Sequence, residues 1–215
     1  MHRYAHFIGI LIFSFLIAGC AVKVIPSPGG QGTINPADNS LTITNENVSI
    51  KVVSADTEIS SYNLDDLVSA FSVTIQNLSD REVSFATDSF LLLDGENRQY
   101  FPLTPAMVKE ITSRDSYYLI PYPYVGFYYL EDYEKVSAYN ATSTTQISYY
   151  YELYPQDIYT KALAAGSVIP KATATGLVYF RIDLRSTKSV KLLVYRQGSS
   201  KSSPPDFTFP FTITK

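Results

Sequence analysis

The chain has 215 residues, with 17 lysines and arginines against 20 aspartates and glutamates and a formal net charge of −3 at pH 7. This mildly acidic balance lacks the basic footprint of nucleic-acid-binding proteins, so we expect no DNA or RNA partner. Two histidines and a single cysteine lie near the N-terminus, and most of the 18 tyrosines lie in the middle of the chain.

The N-terminal segment has the layout of a secretory signal. A short basic stretch precedes the apolar residues 7–18, which are too few to span a bilayer. The apolar run closes on Ile17-Ala18-Gly19-Cys20. This motif resembles the lipobox of bacterial lipoproteins, and the resemblance implies cleavage between Gly19 and Cys20 after a diacylglycerol is attached to the Cys20 sulfur. The alternative is that Cys20 is a buried thiol behind an ordinary cleaved signal.

The predicted lipid anchor sets the location of the protein and limits its chemistry. Loss of residues 1–19, the predicted signal peptide, removes His2 and His6, and the Cys20 thiol becomes a thioether. No Ser-His-Asp or Cys-His relay and no Cys/His zinc site can then form. We therefore expect a protein of the bacterial cell envelope that is not an enzyme, has no cofactor or metal, and meets the membrane through Cys20. Ala21 stands where the lipoproteins that the motif resembles carry an aspartate for inner-membrane retention, which favours the outer membrane.

The composition then changes from that of a loop to that of strands. Residues 20–40 contain three prolines and three glycines, so they are predicted to be the lipidated cysteine followed by a flexible linker. From Leu41 onward, apolar residues alternate with polar ones. The clearest case is the series Phe71, Val73 and Ile75, which has the period of a strand with one buried face.

The C-terminal part repeats this alternation in three segments, residues 178–184, 190–194 and 207–213. Short strands separated by turn residues predict an all-β fold, an antiparallel β-sandwich domain over residues 41–215. Pro210 cannot donate to a strand ladder, so the last strand is predicted at an edge or a bulge. The segment from Phe71 to Phe101, together with Gly176 to Leu184, resembles the small immunoglobulin-like domains of bacterial envelope proteins. That resemblance implies an immunoglobulin-like topology and brings no active site.

Residues 104–170 interrupt the alternation and are predicted to form an insertion with two short helices, one over residues 106–111 and one between Tyr154 and Gly166. This insertion holds 13 of the 18 tyrosines. Tyrosine suits protein interfaces and stacking on sugars, although the same rings could simply cover the sandwich. Seven of them form the candidate interaction surface: Tyr122, Tyr124, Tyr128, Tyr129, Tyr133, Tyr149 and Tyr151.

Three other sets of charged residues suggest further functions. Acids at residues 131–134 are of the kind that a glycosidase uses in pairs. Asp65-Asp66 and residues 94–97 are turn sequences that could bind Ca²⁺ through carboxylates. The segment 171–201 carries seven basic residues, which would suit anionic headgroups or simply solvate an outer face.

Two classes of function follow from these features. In the first, the protein is a tethered structural or interaction module whose insertion meets an envelope protein. In the second, it is a glycan-binding or adhesive surface protein whose exposed tyrosines stack on sugar rings. A contiguous apolar patch would favour the protein partner, and a flat patch of rings beside amide or carboxylate groups would favour the sugar.

We expect the Cys20→Ala variant to leave the membrane fraction, because buried lipid methylenes contribute about 0.8 kcal/mol each and no other attachment is predicted. Fractionation of cells followed by a salt wash and immunodetection measures the change. Ala21→Gly, which leaves the thiol in place, is the control. A Cys20→Ala protein that still pellets with washed membranes contradicts lipid anchoring as the main attachment.

Overall fold

The computed structural model describes residues 22–27, 31–55, 58–59, 62–63, 68–116 and 158–214. Strands predominate in these ranges, and every pairing between named strands is antiparallel. The prediction of an all-β fold with antiparallel sheets is therefore confirmed.

Two sheets form the body of the molecule. The first has five strands, in the spatial order β1 (Lys23–Pro26), β15 (Phe207–Thr214), β14 (Ser189–Val194), β9 (Phe90–Asp94) and β10 (Gln99–Tyr100). The second has six strands, in the order β11 (Pro102–Leu103), β13 (Thr173–Phe180), β7 (Ser69–Asn77), β4 (Val48–Ala55), β3 (Ser40–Asn45) and β2 (Thr33–Asn35). Two small sheets pair β8 (Val83–Phe85) with β12 (Gly166–Val168), and β5 (Glu58–Ile59) with β6 (Tyr62–Asn63).

The main core fills the space between the two large sheets. Because side chains alternate along a strand, Phe71, Val73 and Ile75 of β7 all face inward and are buried. The ring of Phe71 lies 5.5 Å, centroid to centroid, from that of Phe211 in the opposite sheet. It also makes an edge-to-face contact with Phe180 of its own sheet at 6.2 Å. The predicted alternation thus gives the inner face of the sandwich.

The segment predicted as a flexible linker contains two strands, and this corrects the boundaries drawn from the sequence. Strand β1 pairs with β15, with Lys23 opposite Thr214, and β2 pairs with β3. The prolines and glycines mark the short connections around these strands; Gly32, for example, has a φ of +113° just before β2. The sandwich therefore begins close behind Cys20.

Strand β15 lies between β1 and β14, and its register with β14 continues without a bulge where Lys191 is opposite Pro210, so the prediction that Pro210 marks an edge strand or a bulge is wrong. The Pro210 carbonyl oxygen accepts a hydrogen bond from the Ser27 N–H at 2.9 Å, on the side of β1. In an antiparallel strand the N–H and C=O of one residue point to the same neighbour, so the missing donor also falls on that side. Since β1 ends at Pro26, the proline removes only the reciprocal bond to the Ser27 carbonyl, just past the end of that strand.

The insertion is shorter than predicted at its C-terminal end. Its first helix, α1 (Pro105–Ser116), begins after Thr104, whose hydroxyl accepts from the Met107 N–H at 3.3 Å. Residues 158–161 are helical, but by Gly166 the chain is already in strand β12. Within the described ranges, no helix is long and apolar enough to cross a membrane.

We expect Phe211→Ala to lower the free energy of unfolding by about 3–5 kcal/mol, because it removes a ring that contacts the opposite sheet. Urea unfolding of the chain without residues 1–19 measures the loss. Phe101→Ala, at a ring that is 64% exposed, is the control and should change stability by no more than about 0.5 kcal/mol. Equal losses in the two variants would contradict the assignment of the core.

Candidate interaction site at the root of the insertion

Most of the predicted functional residues lie outside the described ranges, Asp65 and Asp66 among them. This applies to Gly19 and Cys20, to the seven tyrosines of the candidate interaction surface and to the acids at 131–134. The structure does describe both ends of the insertion, α1 and residues 158–165, which we call the insertion root. The site is therefore built from the root.

A second, smaller apolar cluster holds the insertion root on the outer face of the second sheet. Its buried members are Val68, Ala70, Leu103, Val108, Ile158 and Tyr179. Neighbouring residues of β7 and β13 point into the main core, so Ala70 and Tyr179 point outward by strand alternation. Val108 of α1 is fully buried in this cluster. The helix thus covers an apolar patch that the sheet would otherwise expose to water.

Tyr179 connects the two ends of the insertion. Its ring packs in the cluster that includes Val108, and its hydroxyl donates to the Ile158 carbonyl oxygen at 3.3 Å. The residue that opens the C-terminal flank and the helix that forms the N-terminal flank therefore share one apolar cluster with this side chain of β13. Residues 117–157, which carry the seven tyrosines, connect these two flanks in sequence.

Gly176 of β13 allows the chain to pass from the outer face to the inner face. Ala162 packs against the outer cluster, whereas Leu163 packs against the main core. The Leu163 N–H donates to the Leu177 carbonyl oxygen at 2.9 Å. A Cβ atom on Gly176 would lie 2.3 Å from the Leu163 Cα atom, so the close approach requires a glycine.

Three large apolar side chains remain exposed around the root. Phe101 is 64% exposed, Met107 on α1 is 47% exposed and Tyr159 is 48% exposed. Met107 and Tyr159 belong to the root and directly neighbour the buried Val108 and Ile158, and Phe101 lies four positions before α1. The sequence predictions missed Phe101 and Met107; the helical pattern of α1, with Val108 and Ile111 facing inward, was the signal that could have placed Met107 outside.

A shallow recess opens where the insertion root meets the edge of the sandwich. Phe85, Phe90, Leu103 and the backbone of residues 162–165 form much of its wall. Its polar side chains are those of Thr87 and Tyr179, and the Tyr179 hydroxyl already donates to Ile158. Among the described residues that line it, the recess therefore offers mainly apolar side chains and no acid-base pair.

The carboxylate of Asp94, one of the turn residues considered for Ca²⁺, accepts hydrogen bonds from four protein donors. Oδ1 accepts from the backbone N–H groups of Glu96 and Arg98, both at 2.9 Å. Oδ2 accepts from Arg98 Nε at 2.7 Å and from the Tyr100 hydroxyl at 3.0 Å. No group of three or more His, Cys, Asp or Glu side chains in the described ranges could hold a metal ion. The geometry makes Asp94 a turn-stabilising residue.

These bonds also set the charge of Asp94. Burial raises its pKa, but the hydrogen bonds from Arg98, Glu96 and Tyr100 outweigh burial and lower the pKa from 3.8 to about 2. Burial, followed by the bond to Asp94, raises the pKa of Tyr100, which keeps that hydroxyl protonated as a donor at neutral pH. The turn is therefore built around an ionised carboxylate.

The basic residues of segment 171–201 do not share one face. Four of the seven form ion pairs with carboxylates: Lys171, Arg185, Arg196 and Lys201. Lys171 pairs with Asp80 and Lys201 pairs with Asp88, at the end of the sandwich where β15 begins. Lys188 lies at the opposite end, because its carbonyl accepts from the Ile213 N–H near the end of β15.

Comparison by sequence finds no match, either among protein-family models or among curated proteins. Comparison by structure finds distant likenesses. A candidate lipoprotein of Bacillus subtilis (ycdA) is 15% identical, with a TM-score of 0.44; the match covers 80% of this chain but 38% of that protein, so this chain spans about two fifths of its length.

Two further solved structures show a similar degree of likeness. The yjhA protein of Bacillus subtilis is 12% identical over 84% of this chain and 97% of that one, with a TM-score of 0.42. A functionally unknown protein of Listeria monocytogenes is 15% identical over 91% of this chain and 90% of that one, with a TM-score of 0.38. All three TM-scores lie below 0.5.

We expect Gly176→Ala to detach the insertion root, because the new methyl group would clash with the backbone at Leu163. Chymotrypsin should then cut within residues 117–157 about tenfold faster, which corresponds to about 1.4 kcal/mol of lost contact energy. Thr175→Ala, at the exposed neighbouring position, is the control. Equal cleavage rates in the two variants would show that the root does not depend on the approach at Gly176.

We expect Asp94→Asn to destabilise the fold most above pH 4 and least near pH 2. A carboxyl whose folded pKa is about 2 stabilises the fold above its unfolded pKa, about 3.9, and that contribution disappears as the pH falls toward 2. Asp38, whose pKa the hydrogen bond from Lys51 also lowers to about 2, contributes equally to both proteins. Urea unfolding across pH 2–7 measures the gap between them.

The control for this prediction is Glu96→Gln, whose side chain is 75% exposed in the same turn. It removes a charge without removing the acceptor of the four hydrogen bonds. A gap between Asp94→Asn and the parent protein that stays constant from pH 7 to pH 2 would contradict the role assigned to the ionised carboxylate.

Proposed function

We propose that this chain is a non-catalytic lipoprotein of the bacterial cell envelope whose β-sandwich presents the tyrosine-rich insertion to a protein partner. The lipobox-like motif supports attachment through Cys20, and Ala21 favours the outer membrane. The observation that carries the interaction role is that the two segments flanking residues 117–157, α1 and residues 158–162, both contribute side chains to the apolar cluster around Tyr179. A segment held at both ends on a rigid sheet loses less conformational entropy on binding than a free tail.

The chemistry of the described surface supports a protein partner. Met107 and Tyr159 are exposed on the two flanks of the segment, and Phe101 is exposed just before the first flank. Aromatic residues and methionine are enriched at the centres of protein interfaces. The recess beside the root adds apolar wall without an acid-base pair. The root thus offers apolar contact area next to the tyrosines.

The topology supports an immunoglobulin-like arrangement within this proposal. The chain crosses between the two large sheets after β1, β7, β10 and β13, so each sheet is assembled from separate stretches of the chain. Both layers contribute buried phenylalanines to one core. Such sandwiches commonly present binding segments from a stable framework, and here the insertion would take that role.

The test is crosslinking of the tagged, lipidated protein in its native envelope, followed by purification and mass spectrometry. We expect one partner in stoichiometric amount with the parent protein. Tyr128→Ala/Tyr129→Ala should lower its recovery about tenfold or more, as for loss of an interface hot spot, without lowering the unfolding midpoint. A large drop in the midpoint would mean instead that these rings belong to the core and would contradict the proposed surface.

A matched control uses exposed apolar residues away from the root. Met107→Ala/Tyr159→Ala removes two exposed side chains at the root, and Leu78→Ala/Ile169→Ala removes two outside it. The proposal predicts weaker capture in the first pair and unchanged capture in the second. Recovery that is equal in both pairs, or no partner above background, contradicts it and directs attention to glycan binding by the tyrosines.

A further inference from the structure

The sandwich begins so close to Cys20 that a lipid on that residue would leave little distance between the domain and the membrane. Strand β1 starts at Lys23, three positions after Cys20. An extended chain advances at most about 3.6 Å per residue, so the two Cα atoms lie within about 11 Å of each other. Strand β1 is fixed by its pairing with β15, from Lys23 opposite Thr214 to Pro26 opposite Phe211. The tether between the lipid and the folded domain therefore consists only of Cys20, Ala21 and Val22.

The strand register identifies the end of the sandwich that the tether holds. Lys23 is opposite Thr214, the last residue of β15. The neighbouring Ile213 N–H donates to the Lys188 carbonyl oxygen at 2.9 Å, which places Lys188 just before β14 at the same end. The turn that follows Asp94 lies there too, since β9 and β14 are antiparallel and Asp94 is opposite Val190. We call this the anchor end.

The anchor end carries three cations that the described part of the chain leaves without a carboxylate partner: Lys23, Lys188 and Arg181, which follows β13 in the loop leading to Lys188. All three are exposed, and none forms an ion pair with a described acid. The acids near them are occupied: Asp94 and Glu96 pair with Arg98. Asp183, in the loop before β14, likewise pairs with Arg185. Among the described side chains at this end, the charged groups without an ion-pair partner are therefore cations.

We propose that the anchor end lies directly on the lipid headgroups, with Lys23 and Lys188 contacting their phosphates. This inference rests on the proposed lipid attachment at Cys20. Anionic headgroups attract basic residues within about a Debye length, close to 10 Å, and the tether keeps Lys23 inside that range. The ion pairs Lys171–Asp80 and Lys201–Asp88 then point away from the membrane, about 25 Å off, the length of an eight-residue strand.

The test attaches the protein to vesicles chemically, so that it does not depend on lipidation in the cell. The chain from residue 20 onward has one thiol, that of Cys20, which couples to a maleimide-bearing phospholipid. Vesicles of phosphatidylcholine with added phosphatidylglycerol are compared with phosphatidylcholine alone and with uncoupled protein. Lysine acetylation followed by mass spectrometry then reports the accessibility of each amine.

We expect acetylation of Lys188 to slow about fivefold on the anionic vesicles, as for one basic residue held at such a surface. Lys171 and Lys201, at the opposite end, should react as in solution, and high salt should restore Lys188. Lys188 is the diagnostic residue because Lys23 adjoins the coupling site. Equal rates at Lys188 and Lys201 on the anionic vesicles would overturn the proposal.

A variant separates charge from mere proximity. Lys23→Gln should reduce the protection of Lys188, whereas Lys191→Gln, in the middle of β14, should leave it unchanged. Protection that is the same in both variants would overturn the role of Lys23. Failure of the underlying anchor would show elsewhere, as Cys20→Ala protein that remains in washed membranes, so the two failures are distinguishable.

Discussion

The packing of Phe71 against Phe211, across the gap between the two sheets, is the contact on which the rest of the structure depends. It sets which face of each strand is internal, because side chains alternate along β7 and β15. With Phe71 and Phe180 committed to the inside, Ala70 and Tyr179 must point outward. An apolar outer patch needs cover, and the insertion root supplies it. The position of the tyrosine-rich segment thus follows from the core.

Much of this framework could be predicted from the sequence. The alternation around Phe71, Val73 and Ile75 correctly indicated strands with one buried face, and Thr104-Pro105 correctly marked the start of a helix. The linker prediction failed because β1 gains its stability from pairing with β15, almost 190 residues later, and such pairing leaves no local pattern. The prediction from Pro210 failed for a related reason. The effect of a missing N–H depends on where the neighbouring strand ends, and the local sequence does not show this.

The candidate site was less accessible to prediction. Its described part depends on Gly176, whose small size matters only because residue 163 crosses there, a contact that composition does not reveal. In the turn at residues 94–97, the acids Asp94 and Glu96 suited either the closing of a hairpin or the binding of Ca²⁺. Their geometry decides for the hairpin, since the carboxylate of Asp94 accepts four hydrogen bonds from its own turn. The seven tyrosines remain a prediction from the sequence.

One apolar cluster fixes both flanks of the insertion, α1 and residues 158–162, to the second sheet. The most direct test is the distance between spin labels at Met107→Cys and Tyr159→Cys in a Cys20→Ser background, measured by pulsed electron paramagnetic resonance. Both sites are exposed and border the buried Val108 and Ile158, so labels should not disturb the cluster. We predict one narrow distance distribution. A broad distribution, indicating flanks that move independently, would contradict the fixing of both flanks by one cluster.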